Sequence, residues 1–274
     1  VEAWFEALWS DWSMKRYLRL LKLFIANSVQ LELEYRANFI FNIGNSLITT
    51  STGFLVLYAM FTKAEAVGGW SFNEVLVLYG IYMIFEALVD MFLFPNLSRM
   101  SEYIRKGDMD FFLLKPISSQ FMVSVRYIRI WMLPQLLLAF ALMGYGMQQL
   151  GQLNISNLAS LALLLCSALV IVYALWFIMN TTAFYFVKVE NISELWFAFF
   201  QAASFPISAF PSWARFVLTF IVPIAFITTV PASAAIGKLS LGFAGSSFLI
   251  AGLLFFFAQC FWRFSIANYT SASS

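Results

Sequence analysis

Long apolar runs, separated by short polar stretches, recur along the whole chain and set the first expectation. At 1.5 Å rise per residue, a helix needs about 20 mainly apolar residues to cross a bilayer. Six runs approach or exceed that length: roughly Ala37 to Thr62, Glu74 to Phe94, Phe121 to Met147, Asn157 to Val187, Ile192 to Phe210 and Ser247 to Phe264. A further apolar stretch, Trp213 to Ala235, contains Pro223 and Pro231. Proline lacks a backbone donor and clashes with the preceding turn, so this piece predicts a broken or re-entrant element instead of a seventh span. The pattern predicts an all-α integral membrane protein. It has six transmembrane helices, an amphipathic interfacial helix at the N-terminus and a proline-broken re-entrant hairpin before the last span. Residues 1–274 read as a single membrane domain, with an N-terminal part at 1–36, a long connection at 95–120 and the re-entrant segment at 211–245.

Composition supports lipid as the solvent. Hydrophobic residues make up 62% of the chain and charged residues 11%, where a soluble domain carries about 25%. Histidine is absent, which removes any imidazole base or histidine-containing metal site. Cys166 and Cys260 each lie in an apolar run and read as small hydrophobes, with no disulfide framework around them. No G-x-x-x-x-G-K-[ST] sequence occurs, so the chain has no P-loop for a nucleotide.

Charge placement sets the orientation. Lys15, Arg16, Arg19, Lys22 and Arg36 precede the first span, and Arg99, Arg105, Lys106, Lys115, Arg126 and Arg129 flank or follow the second. The first-to-second loop has only Lys63, and Gln148 to Ser156 has no charge. Cytoplasmic flanks collect Lys and Arg, so both termini are expected in the cytoplasm of a cell-membrane (inner-membrane) protein. In Met14 to Glu34, Tyr17, Leu18, Leu21 and Phe24 or Ile25 recur at helical spacing, with Lys15, Arg19 and Lys22 largely away from them. Such a basic helix lies in the headgroup layer. It is too polar for a cleavable signal peptide. Residues 1–13, with three tryptophans and three acids, read either as a further interfacial turn or as sequence ahead of a natural start at Met14.

The connection at 95–120 reads PNLSRMSEYIRKGDMDFFLLKPISSQ. Ser101 to Lys106 predicts a short helix ended by Gly107 and Asp108, after which Phe111, Phe112 and Leu113 sit among charges of both signs. That composition suits either docking of a soluble partner or a solvated loop resting on the membrane. The segment Arg105 to Ser118, RKGDMDFFLLKPIS, resembles the inner-loop signature of ABC-2-type transporter permeases, with Met109 where leucine is commoner. Phe205-Pro206, Pro211, Phe220-Ile-Val-Pro223 and Val230-Pro231 are similar to that family's proline-punctuated segment before the last span. The resemblance implies half of the membrane portion of an ATP-driven transporter, paired with a second permease copy or homologue. A separate cytoplasmic ATPase would bind the ATP and Mg, so this chain needs no cofactor of its own. Arg105, Lys106, Gly107, Asp108, Asp110, Lys115 and Pro116 would carry the ATPase contact. The family's cargoes include lipids, glycoconjugates, drugs and peptides.

Few polar groups remain inside the spans. Glu86 and Asp90 lie one turn apart on one face of the second span, and Arg126 and Arg129 in the third are their candidate partners. Asn42, Asn45 and Ser46, and Asn180, Thr181 and Thr182, read as interhelical hydrogen-bonding groups or as the lining of a headgroup path. Phe197, Phe199 and Phe200 read as packing or as an apolar pathway, and Trp70, Trp131, Trp196, Trp213 and Trp262 as interface belts or packing. The rival function is an ion-coupled secondary transporter with Glu86 and Asp90 as its protonatable pair, against which no inverted internal repeat is evident. A membrane-embedded enzyme finds no catalytic cluster in the sequence.

Overall fold

A computed structural model describes residues 14–186 and 190–269; the readings made for residues 1–13 lie outside them. Helix α1 (Met14–Glu34) passes through Tyr35 into α2 (Arg36–Phe61). Next come α3 (Phe72–Lys106), α4 (Met109–Leu113), α5 (Ser119–Val125), α6 (Ile130–Gln149) and α7 (Ile155–Phe184). The chain continues through α8 (Glu190–Gln201), α9 (Ser212–Ile221), α10 (Ile224–Ala235) and α11 (Leu241–Ala267). Five of these, α2, α3, α6, α7 and α11, are long and apolar enough to cross a bilayer singly.

Helix α3 is the axis of the molecule, buried along most of its apolar length, whereas α2 and α11 turn most of their surface outward. It packs closely on α6, and glycine permits the approach. A Cβ on Gly80 would stand 2.9 Å from Met143 Cβ, and one on Gly146 2.8 Å from Val77 Cγ2. Helix α7 lies along α11 and α10. Between α3 and α7 sits an aromatic wedge: Trp176 meets Trp196 edge-on at 5.3 Å, and Phe200 lies 5.3 Å from Tyr82. Phe200 and Trp196 are therefore packing residues.

Three element boundaries differ from the hydropathy reading. The second helix does not stop near Phe94 but runs on to Lys106 through a π-turn at Val89–Leu93, shortening the connection to residues 107–118. The third long helix begins at Ile130, not Phe121; α5 precedes it, and Arg126 and Arg129 lie in the non-helical break between them. The fifth span is not one helix. Helix α8 covers only about 18 Å at 1.5 Å per residue, and 3-10 turns at Ala202–Ser204 and Ile207–Ala209 complete the passage. That passage joins opposite ends of the molecule. Tyr185 Oη lies 3.2 Å from Ser265 Oγ at the end holding the arginines, and Ser208 Oγ donates to the Gly68 carbonyl at the other.

The proline-rich piece is a bent pair, α9 and α10, meeting at 72°. Both its ends lie at the end of the molecule far from Arg126 and Arg129. Arg215 donates to the Ser208 and Phe210 carbonyls, and just beyond α10 the Lys238 ammonium pairs with Glu74 at 2.7 Å. The pair also satisfies the broken passage, since Thr228 Oγ1 donates to the Ala203 carbonyl (2.8 Å) and Thr229 Oγ1 accepts the Ile207 amide (3.2 Å). Irregular backbone at membrane depth is tolerated where protein covers it, and α10 supplies that cover.

Candidate functional site

Glu86 lies about 21 Å along α3 from its first residue, well inside the apolar part of the helix. Its Oε1 accepts the Tyr82 hydroxyl at 2.9 Å, one turn earlier on α3, and its Oε2 accepts Gln135 Nε2 of α6, also at 2.9 Å. Gln135 Oε1 in turn accepts the Ser46 hydroxyl of α2 at 2.7 Å. The carboxylate thus anchors a polar chain through three helices. Neither arginine expected as its partner bonds it, and the ion pairs formed among the described residues are Lys106–Glu102 and Lys238–Glu74. Asp90, one turn on, is one of the acids that Arg129 attracts, Glu32 being another. An acid at the centre of a transmembrane helix costs about 2.5–3.5 kcal/mol on insertion scales, so its hydrogen bonds matter. Beside Glu86 opens a cavity of about 330 Å³, lined by Thr49, Thr50, Tyr79, Tyr82, Gln201 and Ser204 among others.

The break before α6 is the second construction. Pro95 has no N–H to give the Met91 carbonyl four residues back, and that carbonyl accepts the Arg129 amide at 3.0 Å instead. Buried Asn96 holds the same stretch from both sides: its Nδ2 donates to the Tyr127 carbonyl (2.6 Å) and its Oδ1 accepts the Tyr127 amide (2.8 Å). Ser28 Oγ of α1 accepts the Ile128 amide. The arginines lie on aromatic faces, Arg99 at 4.2 Å from the Tyr127 ring centre, Arg126 at 5.4 Å from the same ring and Arg129 at 4.8 Å from that of Phe94. Glu32 of α1 faces Arg129; burial raises its pKa above the ordinary carboxylate value, and the attraction of Arg129 opposes the rise without cancelling it.

At the end of α3 the chain reverses. Gly107 closes the helix at φ +76°, a left-handed conformation that a side chain would strain, which agrees with the turn read from the sequence. Arg105, Lys106, Lys115 and Pro116 are exposed, Asp108 is half-buried, and Phe111 and Leu114 are 65% and 81% exposed. Asp110 faces inward toward Tyr269 at the end of α11. Burial first, and the Asp110 carboxylate second, push that phenol's pKa up. Helix α1 braces the same region: Tyr17 Oη accepts the Ser118 amide at 3.3 Å, and its ring meets Phe121 edge-on at 4.8 Å.

The second polar cluster bonds its own helix. Asn180 Nδ2 donates to the Trp176 carbonyl (2.9 Å) and Thr181 Oγ1 to that of Phe177 (2.7 Å), so neither links helices through these bonds.

The family model described as ABC-2 family transporter protein matches residues 47–273, from within α2 to the C-terminal end. The chain belongs to the ABC-2 transporter family. Helix α1 precedes the matched stretch of this permease. No curated protein matches the permease significantly.

Sequence reasoning missed Gln135 and Asn96, which join Glu86 and the break to neighbouring helices. Gln135 follows Pro134 at the polar edge of an apolar run, and Asn96 follows Pro95. A buried amide beside a proline, where backbone groups lose their helical partners, is the signal that could have found both.

Proposed function

We propose that this permease is the membrane subunit of an ATP-driven exporter of lipid-like, glycoconjugate, peptide or drug-like cargo. A separate cytoplasmic ATPase binds the ATP and Mg and docks on the segment 105–116. A second permease, identical or homologous, completes the pathway. One observation carries the reading: α3, the central helix, extends from the far end to Lys106, and the reversal at Gly107 leads into a surface on which Arg105, Lys106, Phe111, Leu114 and Lys115 are all exposed. A docked ATPase would grip the one helix that contacts α6, α2 and α10, so its movement reaches the whole bundle. The basic end faces the cytoplasm of the cell membrane, with both chain termini on that side. There α1 lies along the headgroups, and α9–α10 forms a re-entrant hairpin dipping from the outer face.

The test is purification of the tagged permease from its native host in mild detergent. Expected is a stoichiometric subunit with a Walker A motif whose ATPase activity supports vesicle transport. Combining Lys106→Glu with Lys115→Glu should release that subunit or uncouple its hydrolysis from transport. Transport driven by a proton gradient without an ATPase would replace this reading with the ion-coupled one.

A further inference from the structure

The Glu86 cavity has features that the transport reading leaves unused. A carboxylate offers about four acceptor positions, and Glu86 uses two, both on neutral donors, Tyr82 and Gln135. The cation acting on its neighbour Asp90 is Arg129, which sits with the Phe94 and Trp131 rings at the break. Tyr79 and Tyr82, stacked with ring centres 5.9 Å apart, line the same space as Glu86. Helix α8 ends there, with Gln201 and Ser204 on the wall, and a helix C-terminus carries partial negative charge. Gly53 keeps the cavity open from α2, since a Cβ there would strike the Tyr79 hydroxyl.

A carboxyl group with unused acceptor positions, an aromatic wall and a volume of about 330 Å³ together select a ligand class. We propose that this cavity seats the cationic head, an alkylammonium or quaternary ammonium group, of an amphiphilic cargo. Glu86 neutralises the charge and Tyr79 supplies cation–π surface, while Tyr82, held between Tyr79 and Phe200, fixes the Glu86 carboxyl through its hydroxyl. The cavity holds a head group and the first part of an apolar body; the rest of the cargo lies along the outward-facing surface of α2. The inference rests on the transport reading and narrows its cargo to cations.

Equilibrium binding of radiolabelled benzyltrimethylammonium to the permease–ATPase complex in lipid nanodiscs, near neutral pH, tests it. Saturable binding is expected, weakened about tenfold or more by Glu86→Gln, which keeps the hydrogen-bonding shape but removes the charge. Thr49→Phe, which fills the cavity from the exposed side of α2, should abolish binding even if the Glu86 variant fails to fold. The uncharged isostere neopentylbenzene should not displace the probe. Equal binding by Glu86→Gln, displacement by the isostere, or no saturable binding would each overturn the proposal. A complex that hydrolyses ATP but binds no probe overturns this inference alone, whereas a preparation lacking any ATPase overturns the transport reading with it.

Discussion

Single side chains decide whether the irregular backbone of this molecule is tolerable. Asn96 satisfies both main-chain groups of Tyr127, and unsatisfied buried groups cost about 1–3 kcal/mol each. Asn96→Leu should therefore lower stability by at least about 2 kcal/mol, read as a drop in Tm in nanodiscs. Asn96→Asp, which can still accept the Tyr127 amide but not donate to its carbonyl, should fall between. Gln135→Leu should cost about 0.6–1.7 kcal/mol, the range of interhelical hydrogen bonds in membranes. Its cost should shrink in a Glu86→Gln background, where no charge is left to solvate. Glu32 supplies a pH signature. Its folded pKa lies above the ordinary 4.5, so the protonated form is favoured in the folded chain. Stability is lost as pH rises from the unfolded value through the folded one. Glu32→Gln should then raise Tm at neutral pH, and the difference should vanish below about pH 4; a constant difference across pH would contradict the raised pKa.

At the scale of elements, the pairing of α3 with α6 depends on two positions without side chains. Gly80→Leu or Gly146→Leu would press a side chain into Met143 or Val77 and force the helices apart. Overpacking of this kind costs typically about 1–3 kcal/mol; unchanged Tm in both variants would show that the helices are not so close. The junction of α3 with the break is more subtle. Pro95→Ala restores an N–H that competes with Arg129 for the Met91 carbonyl, so amide exchange at Arg129 should quicken. The apolar periodicity showed α3 as a span but not its length. Helix α3 continues through a polar, charged stretch because Gly107, not the loss of apolarity at Phe94, supplies the stop. The fifth run misled in the opposite sense. Its composition suits a span, yet Pro206 and the Thr228 and Thr229 side chains on α10 favour 3-10 turns there.

For the whole molecule, the sharpest expectation concerns sidedness. In a background of Cys166→Ala and Cys260→Ala, single cysteines at Ala66 and Ser240 should label from the same side of the membrane, and one at Asn268 from the other. If α9–α10 crossed instead of returning, Ser240 would change sides relative to Ala66. The exposed apolar surface of α2, including Ile40, Phe41 and Ile48, has no cover among the described residues. Lipid or the second permease proposed above must cover it.

The amino-acid sequence by itself determined the solvent, because an 11% share of charge cannot wet a folded surface of this size. It also determined the turn at Gly107 and the helix from Met14 to Glu34, both of which rest on local patterns. Tertiary structure alone decided which polar group meets which. Glu86 bonds Gln135, 49 residues away, instead of an arginine, and Met91 gives its free carbonyl to Arg129. The physical reason is that hydropathy is read along the chain, one helix at a time, while a buried polar group is satisfied across helices, by whichever neighbour the packing brings within about 3 Å.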